Sequence, residues 1–369
     1  MAYSYTPDGI QFSNRVDGTT QRALHAKVVD NILSAPTYFS RLLSMGKPFL
    51  GKTEDITIDV VSDNQGEFFV GLETLNSAAA NTTITLSYAQ TAFTQPEVSI
   101  MLESFANTGV AGVIPLAAFK HEKAAAEVLQ RFGSAIYADG TANRPLGLGA
   151  IVDDGTSVGT IGGQSRTTYT TLKATVTASG GTLTLAKMAT LWDAVSAAGL
   201  QSQEPNVGLS DATVWSLYEQ LLQPNVRNDY NGNGYPSMSI RGSNMEKAQK
   251  NGAGFSALSY RGRGILKDNF ATAQTLFFLN ESYYDWMGRA IVPDEYKDMV
   301  EKVNLGTMSA YEGTGAEALD LPSEFNGWFY QKKLQLPNQA GMIARFYVIG
   351  QVVGKGFRRS GKLTGVTSV

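Results

Sequence analysis

The chain has 369 residues with 43% hydrophobic side chains and 38 glycines, the make-up of a folded, loop-rich protein of two or three core-forming units, or of one elongated unit with arms. It has no cysteine, which excludes disulfide staples, thiol nucleophiles and thiolate-held zinc, and only two histidines, His25 and His121, too few for an all-histidine zinc site. Charged residues are 17%, against about 25% in ordinary domains, and the net charge is −3. The low charge fits either a Thr/Ser/Ala/Asn-rich surface or one largely covered by partners. A protein that grips nucleic acid tightly is expected to be basic, and this chain is not, taken overall.

The N-terminus, Met1–Asp8, lacks a basic stretch followed by an apolar run, so no secretory signal is read. The longest apolar stretch, near Val110–Phe119, is short and broken by Pro115, so no membrane span is read. A cytosolic protein is expected. Leu24, Val28 and Ile32 repeat at helical spacing and predict a helix over Asp17–Leu33, stopped by Pro36, after a polar, extended arm.

From Lys52 to Leu102 the period changes to two. Ile56, Ile58 and Val60 alternate with Thr57 and Asp59, and Ile84, Leu86 and Tyr88 with Thr85 and Ser87. Val98, Ile100 and Leu102 form a third alternating set. Half-buried strands are predicted, with turns at Asp63–Gly66 and Asn76–Asn81. Between Thr53 and Phe119 there is no Lys or Arg, while eight acids are present: Glu54, Asp55, Asp59, Asp63, Glu67, Glu73, Glu97 and Glu103. The rest of the chain is net basic. An acidic β-arm on a basic body suits docking on another copy of that body. The alternative is a solvated acidic hairpin. Docking is favoured because an isolated two-stranded ribbon is only marginally stable.

A helix is predicted over Leu116–Tyr137, with Ala125, Val128, Leu129, Phe132 and Ile136 on one face, an assisting Glu127–Arg131 pair, and Asp139-Gly140 as its stop. His121 is read as a surface helix residue. Asp153–Gly181, rich in Gly, Thr and Ser, reads as a mobile surface loop. Two more helices are predicted: Leu185–Ala198 with Thr184 as N-cap and Gly199 as stop, and Asp211–Gln223 capped by Ser210 and closed by Pro224. Asn228–Gly234 is a polar loop. Buried strands are read at Ile265–Asp268 and Thr275–Leu279, and longer ones at Trp328–Leu336 and Ile343–Val353. A basic, Gly-spaced stretch, Lys355–Lys362, follows. No fixed-period repeat appears. The class is α+β.

Catalytic motifs are not found. Gly147-Leu148-Gly149 lacks the third glycine and the helix of a dinucleotide site. Asp229, Asn231, Asn233 and Gly234 match the first half of a calcium loop, but its twelfth position is Ile240 where a bidentate Glu is needed. A plain Asn/Gly turn is the better reading, with a weak cation site as the alternative. Asp153-Asp154 lies outside any glycosidase-like frame. No catalytic residue, metal or cofactor is expected.

Three stretches resemble the major capsid proteins of tailed bacteriophages, with the Hong Kong 97 fold. They are Phe119–Tyr137 running into Ala138-Asp139-Gly140-Thr141 and Pro145–Leu148; Leu258–Asp268 followed by Thr275–Asn280; and Ile349–Val366. The order of elements matches as well. The resemblance implies an N-terminal arm over 1–45, an extended β-hairpin loop over 46–108, and a peripheral domain with a long spine helix over 109–147 and 301–347. It implies an axial domain over 148–300 and 348–369. It further implies pentamers and hexamers closing an icosahedral head over double-stranded DNA, with a portal, a separate scaffolding protein and decoration proteins as partners, in a virion built in the host cytoplasm. Glu54, Asp55, Asp59, Asp63, Glu67 and Glu73 are the candidate inter-subunit contacts on the extended loop. Some relatives cross-link through a loop lysine by an isopeptide bond. Here only Lys52 stands at the loop's base, so non-covalent cohesion is expected. Met1 begins close to the arm, so neither a fused scaffold nor maturation cleavage is expected. Two alternatives remain: an encapsulin-type nanocompartment shell, against which the long arm counts, and a glycan-active enzyme or binding module.

Overall fold

A computed structural model describes residues 37–44, 46–62, 66–75, 81–107, 116–140, 143–197, 204–226, 258–289, 291–302, 327–336 and 339–369. The expected helix over Asp17–Leu33 and the loop at Asn228–Gly234 lie outside these residues.

The described chain opens with helix α1 (Thr37–Ser44), then β1 (Lys47–Phe49), β2 (Thr53–Asp59), β3 (Thr83–Ala89) and the long β4 (Thr91–Ile100). A short helix, α2 (Met101–Ala106), follows. Leu102, read as the end of an alternating strand, is therefore helical. Helix α3 spans Leu116–Ala135. All five residues of its predicted stripe are buried, from Ala125 to Ile136. Glu127 takes Gln95 and Lys123 as partners, not Arg131. The chain then turns through Gly140 at φ +73°.

After α4 (Leu148–Ile151) come β5 (Thr160–Ile161), β6 (Gln164–Ser165), β7 (Thr175–Thr177) and β8 (Gly181–Thr182). This is the stretch read as a mobile surface loop, and that reading is corrected. Arg166 and Asp153 are buried at its centre, and β7 is an edge strand of a six-stranded sheet. Period counting missed it because the segment is held by side-chain bonds to backbone carbonyls and amides, which leave no hydrophobic period.

Helix α5 (Leu185–Ser196) is capped as expected, Thr184 accepting from the Lys187 amide at 3.2 Å. Strand β9 (Val207–Ser210) leads into α6 (Ala212–Val226). The cap of α6 is Asp211, whose carboxylate accepts from the Thr213 and Val214 amides. Ser210, expected in that role, is the buried last residue of β9. Pro224 lies within the last turn of α6 and does not close it. Strands β10 (Leu258–Tyr260), β11 (Arg263–Lys267), β12 (Leu276–Leu279), β13 (Tyr284–Arg289), β14 (Val300–Lys302), β15 (Trp328–Gln335), β16 (Gly341–Gly354), β17 (Gly361–Leu363) and β18 (Val366–Ser368) complete the chain.

Two six-stranded sheets organise it. In the first, β16 pairs antiparallel with β4, β15 and β13, while β14 and β1 flank the ends. In the second the order is β10-β11-β9-β12-β17-β7. Strand β12 shows why its sequence is a continuous apolar run. Phe277 and Leu279 point into the larger core with α1, α3 and the first sheet, and Leu276 and Phe278 into a smaller core with α5 and α6. A strand buried on both faces loses its polar alternation. In the larger core Trp286 meets Phe39 and Phe132 edge-on at 5.6 and 5.7 Å.

Candidate assembly surface

The acidic arm is the hairpin β2–β3 with the chain between its strands. The strands pair in antiparallel register from Thr53↔Ala89 to Asp59↔Thr83. Period two sorts their side chains. Glu54, Ile56 and Ile58 take one half-buried face, with Leu86 and Tyr88 fully covered opposite, and Asp55 and Asp59 face solvent. Asp55 accepts from the Ser87 hydroxyl.

The base of the hairpin is fastened to its own chain. The Tyr88 hydroxyl donates to the Gly354 carbonyl at 2.7 Å, the Ser87 amide to the Gly162 carbonyl at 3.0 Å, and Gln164 Nε2 to the Thr85 carbonyl at 3.2 Å. Gly162, at φ +55°, lies so close that an added Cβ would come within 2.7 Å of Leu86. Only a glycine satisfies both the left-handed backbone and the contact.

Beyond β2, residues 66–75 form no regular element and are exposed. Glu67 and Glu73 lie here, while Asp63 falls outside the described residues. Of the eight acids, Glu97 and Glu103 are turned to other uses. Glu97 on β4 is buried, 3.3 Å from both His121 of α3 and Lys333 of β15. Burial alone would raise its carboxyl; the His121 hydrogen bond and the Lys333 charge outweigh this and hold it below the usual range. Glu103 pairs with Lys120 at 2.6 Å. Thus Asp55, Asp59, Glu67 and Glu73 carry the arm's described outward charge, while Glu54 lies on the half-buried face. His121 is correspondingly half-buried between Glu97, Tyr330 and Phe346, not a plain surface residue.

The arm also bears an apolar run that alternation did not pick out. Phe68, Phe69, Val70 and Leu72 are all exposed, Phe68 and Leu72 completely. The available clue was Phe-Phe-Val-Gly-Leu set between Glu67 and Glu73, too apolar for a solvated turn. At the hairpin's base, Leu50, Lys52, Gln90 and Arg289 line a shallow open cleft of about 620 Å³. Arg289 there donates to the carbonyls of Leu50 and Gly51.

No protein-family model matches the chain, and no curated protein does either. Solved structures do. The chain is similar to the capsid subunit of cyanophage A-1(L), with a TM-score of 0.67 at 17% identity over 96% of this chain and 99% of that one. It is similar to the SrpI encapsulin of Synechococcus elongatus, with a TM-score of 0.57 at 11% identity over 96% and 95%. It is also similar to the capsid of a native GTA particle, with a TM-score of 0.53 at 9% identity over the full length of both. The fold is therefore the Hong Kong 97 fold of capsid shell subunits, α+β as expected from the sequence.

Proposed function

We propose that this chain is the major capsid protein of a tailed phage, a non-enzymatic subunit that assembles with copies of itself. Pentamers and hexamers would close an icosahedral head around double-stranded DNA, with a scaffolding protein, a portal and decoration proteins as partners. The observation that carries the reading is the end-to-end match of fold with the cyanophage capsid subunit. In this reading residues 46–108 are the extended loop, and 109–147 with 301–347 the peripheral domain around α3. Residues 148–300 with 348–369 form the axial domain. The loop's exposed carboxylates, Asp55, Asp59 and Glu73 among them, favour approach to a net-basic body of a second copy. Cohesion is non-covalent, since the loop carries no lysine beyond Lys52.

The encapsulin likeness supports a second reading, a protein-filled nanocompartment. The length of the 46–108 loop favours the phage head. Electron microscopy of the expressed protein, with and without a scaffolding protein, tests both. Shells or capsomer rings are expected, with nuclease-protected DNA in infected cells. Shells filled with protein would favour the compartment, and a chain that stays monomeric at high concentration would sink both. Replacing Asp59, Asp63 and Glu67 by Lys should block assembly and leave the subunit folded; normal shells would refute the electrostatic part.

A further inference from the structure

The arm is fastened to its own subunit well beyond its base. Strand β3 pairs with β2 along one edge, and its other edge meets the turn between β5 and β6. There the Ser87 amide donates to the Gly162 carbonyl at 3.0 Å, and Gln164 Nε2 to the Thr85 carbonyl at 3.2 Å. Just past the far end of β2, the Thr171 hydroxyl donates to the Val60 carbonyl at 3.2 Å. Ile161 and Leu172 are buried in one cluster with Val60, Leu86 and Tyr88, and Ile56, Ile58 and Ile84 pack against it. The cover ends abruptly. The Val60 and Val61 amides both donate to the Thr82 carbonyl, at 2.8 and 3.3 Å, yet Val60 is 7% exposed and Val61 48%. The seven-residue ladder, about 24 Å long at about 3.4 Å per residue, therefore lies on its own subunit.

We infer that the 161–171 stretch is a seat that sets the arm's direction and, through it, the curvature of the shell, with Gly162, Gln164 and Thr171 as positioning residues for assembly. A two-stranded ribbon is only marginally stable by itself, so its direction comes from what it lies on. The seat admits one placement. Gly162, at φ +55°, comes so near that an added Cβ would lie 2.7 Å from Leu86, so a ribbon tilted toward the seat collides with it. A ribbon tilted away loses the Ser87, Gln164 and Thr171 bonds together. The seat is itself held firmly, because Arg166 ties it to the carbonyls of Ala150 and Ile151 and Asp153 takes the amides of Gly155, Ser157 and Val158. In a head-to-tail assembly the angle between arm and body is copied at every step, and that angle decides whether the assembly closes. The inference rests on the shell reading and deepens it: the arm pivots at Val60–Val61 and Thr82, not at the two ends of the 46–108 loop.

Gln164→Ala combined with Thr171→Val in the full chain tests this, since both side chains are only half-buried and neither belongs to a core cluster. Hydrogen exchange on the unassembled subunit gives the first readout. The Ser87 amide points away from β2, and with two neighbouring bonds removed its exchange should quicken roughly tenfold. An unchanged rate overturns the seat. Electron microscopy of assembled material gives the second readout, which a merely structural role would not move. The parent should form shells of one diameter, and the variant a spread of diameters or open sheets. Each single variant should give a narrower spread than the double. Shells of the parent's diameter from a variant whose Ser87 amide does exchange faster overturn the curvature role and leave the shell reading standing. Replacing Thr171→Val by Thr171→Ser beside Gln164→Ala keeps the hydroxyl and should narrow the spread; no narrowing removes Thr171 from the seat. A parent that never assembles sinks the shell reading and the curvature role with it.

Discussion

The hydroxyl of Tyr88 donates to the carbonyl of Gly354 at 2.7 Å, joining the arm's second strand to the end of β16, 266 positions later. The arm is thus pinned at its base. Tyr88→Phe keeps the ring in the core and deletes only the donor. It should cost about 1–2 kcal/mol, the usual penalty for orphaning a buried acceptor, read as a lower denaturant midpoint at unchanged slope. Burial, the largest influence, drives the Tyr88 phenol well above its ordinary value, although the Arg166 charge pulls the other way. The folded state therefore favours the neutral phenol. Stability from this group is complete below about pH 10 and is lost as pH rises beyond that. The variant should show a flatter alkaline limb than the parent, and an equal fall in both would remove Tyr88 as its cause.

Glu97 is the acid-side counterpart. Its folded carboxyl is held below the ordinary 4.5 by His121 and Lys333, against the opposing effect of burial. Its contribution is therefore full above about pH 4.5 and declines as pH falls through the lower folded value. Glu97→Gln should cost about 1–3 kcal/mol at neutral pH. His121 and Lys333 are each about a third exposed, so a larger loss is not expected. The gap between parent and variant should close as the solution is acidified, in urea unfolding at pH 7 and pH 4. A constant gap would show that the carboxylate's charge is not the source.

The sequence made most of this architecture legible, for physical reasons that differ by element. Helix α3 and strands β2 and β3 carry clear periods because each buries one face. Strand β12 was recognisable as buried because both faces are covered. The Asp153–Gly181 stretch was misread because its order comes from Arg166 and Asp153 reaching backbone groups, and such bonds leave no pattern in hydropathy. The same limit moved the α6 cap by one residue, since Ser210 and Asp211 are both good caps and only the end of β9 decides between them. For the assembly surface, the acids were visible as charge, but Glu97 and Glu103 could not be separated from the rest without their partners on α3 and β15. The Phe68–Leu72 run was visible as composition, yet its exposure depends on where the hairpin ends.

Arg166 supplies the most severe test of how the 148–174 segment is held. Its side chain is fully buried and donates to the carbonyls of Ala150, Ile151 and Val158 at 2.8, 3.0 and 3.1 Å. Asp153 lies 3.4 Å from the same guanidinium, and Phe357 lies against it at 5.7 Å. Asp153 itself keeps the amides of Gly155, Ser157 and Val158 and the Lys362 ammonium. Removing Arg166 therefore leaves Asp153 largely compensated but strips two buried carbonyls and one part-buried one of their donor. Arg166→Met should cost about 3–5 kcal/mol, the scale of breaking a buried charged network from one side. Arg166→Lys restores the charge but not the planar fork, and one ammonium cannot match the whole fan of acceptors. It should recover less than half of the loss. Asp153→Asn combined with Arg166→Met should fall well short of cancelling the single-variant cost, because most of that cost sits on the carbonyls. If the lysine variant matched the parent in a denaturant titration, simple charge pairing with Asp153 would account for the site and the carbonyl fan would be incidental.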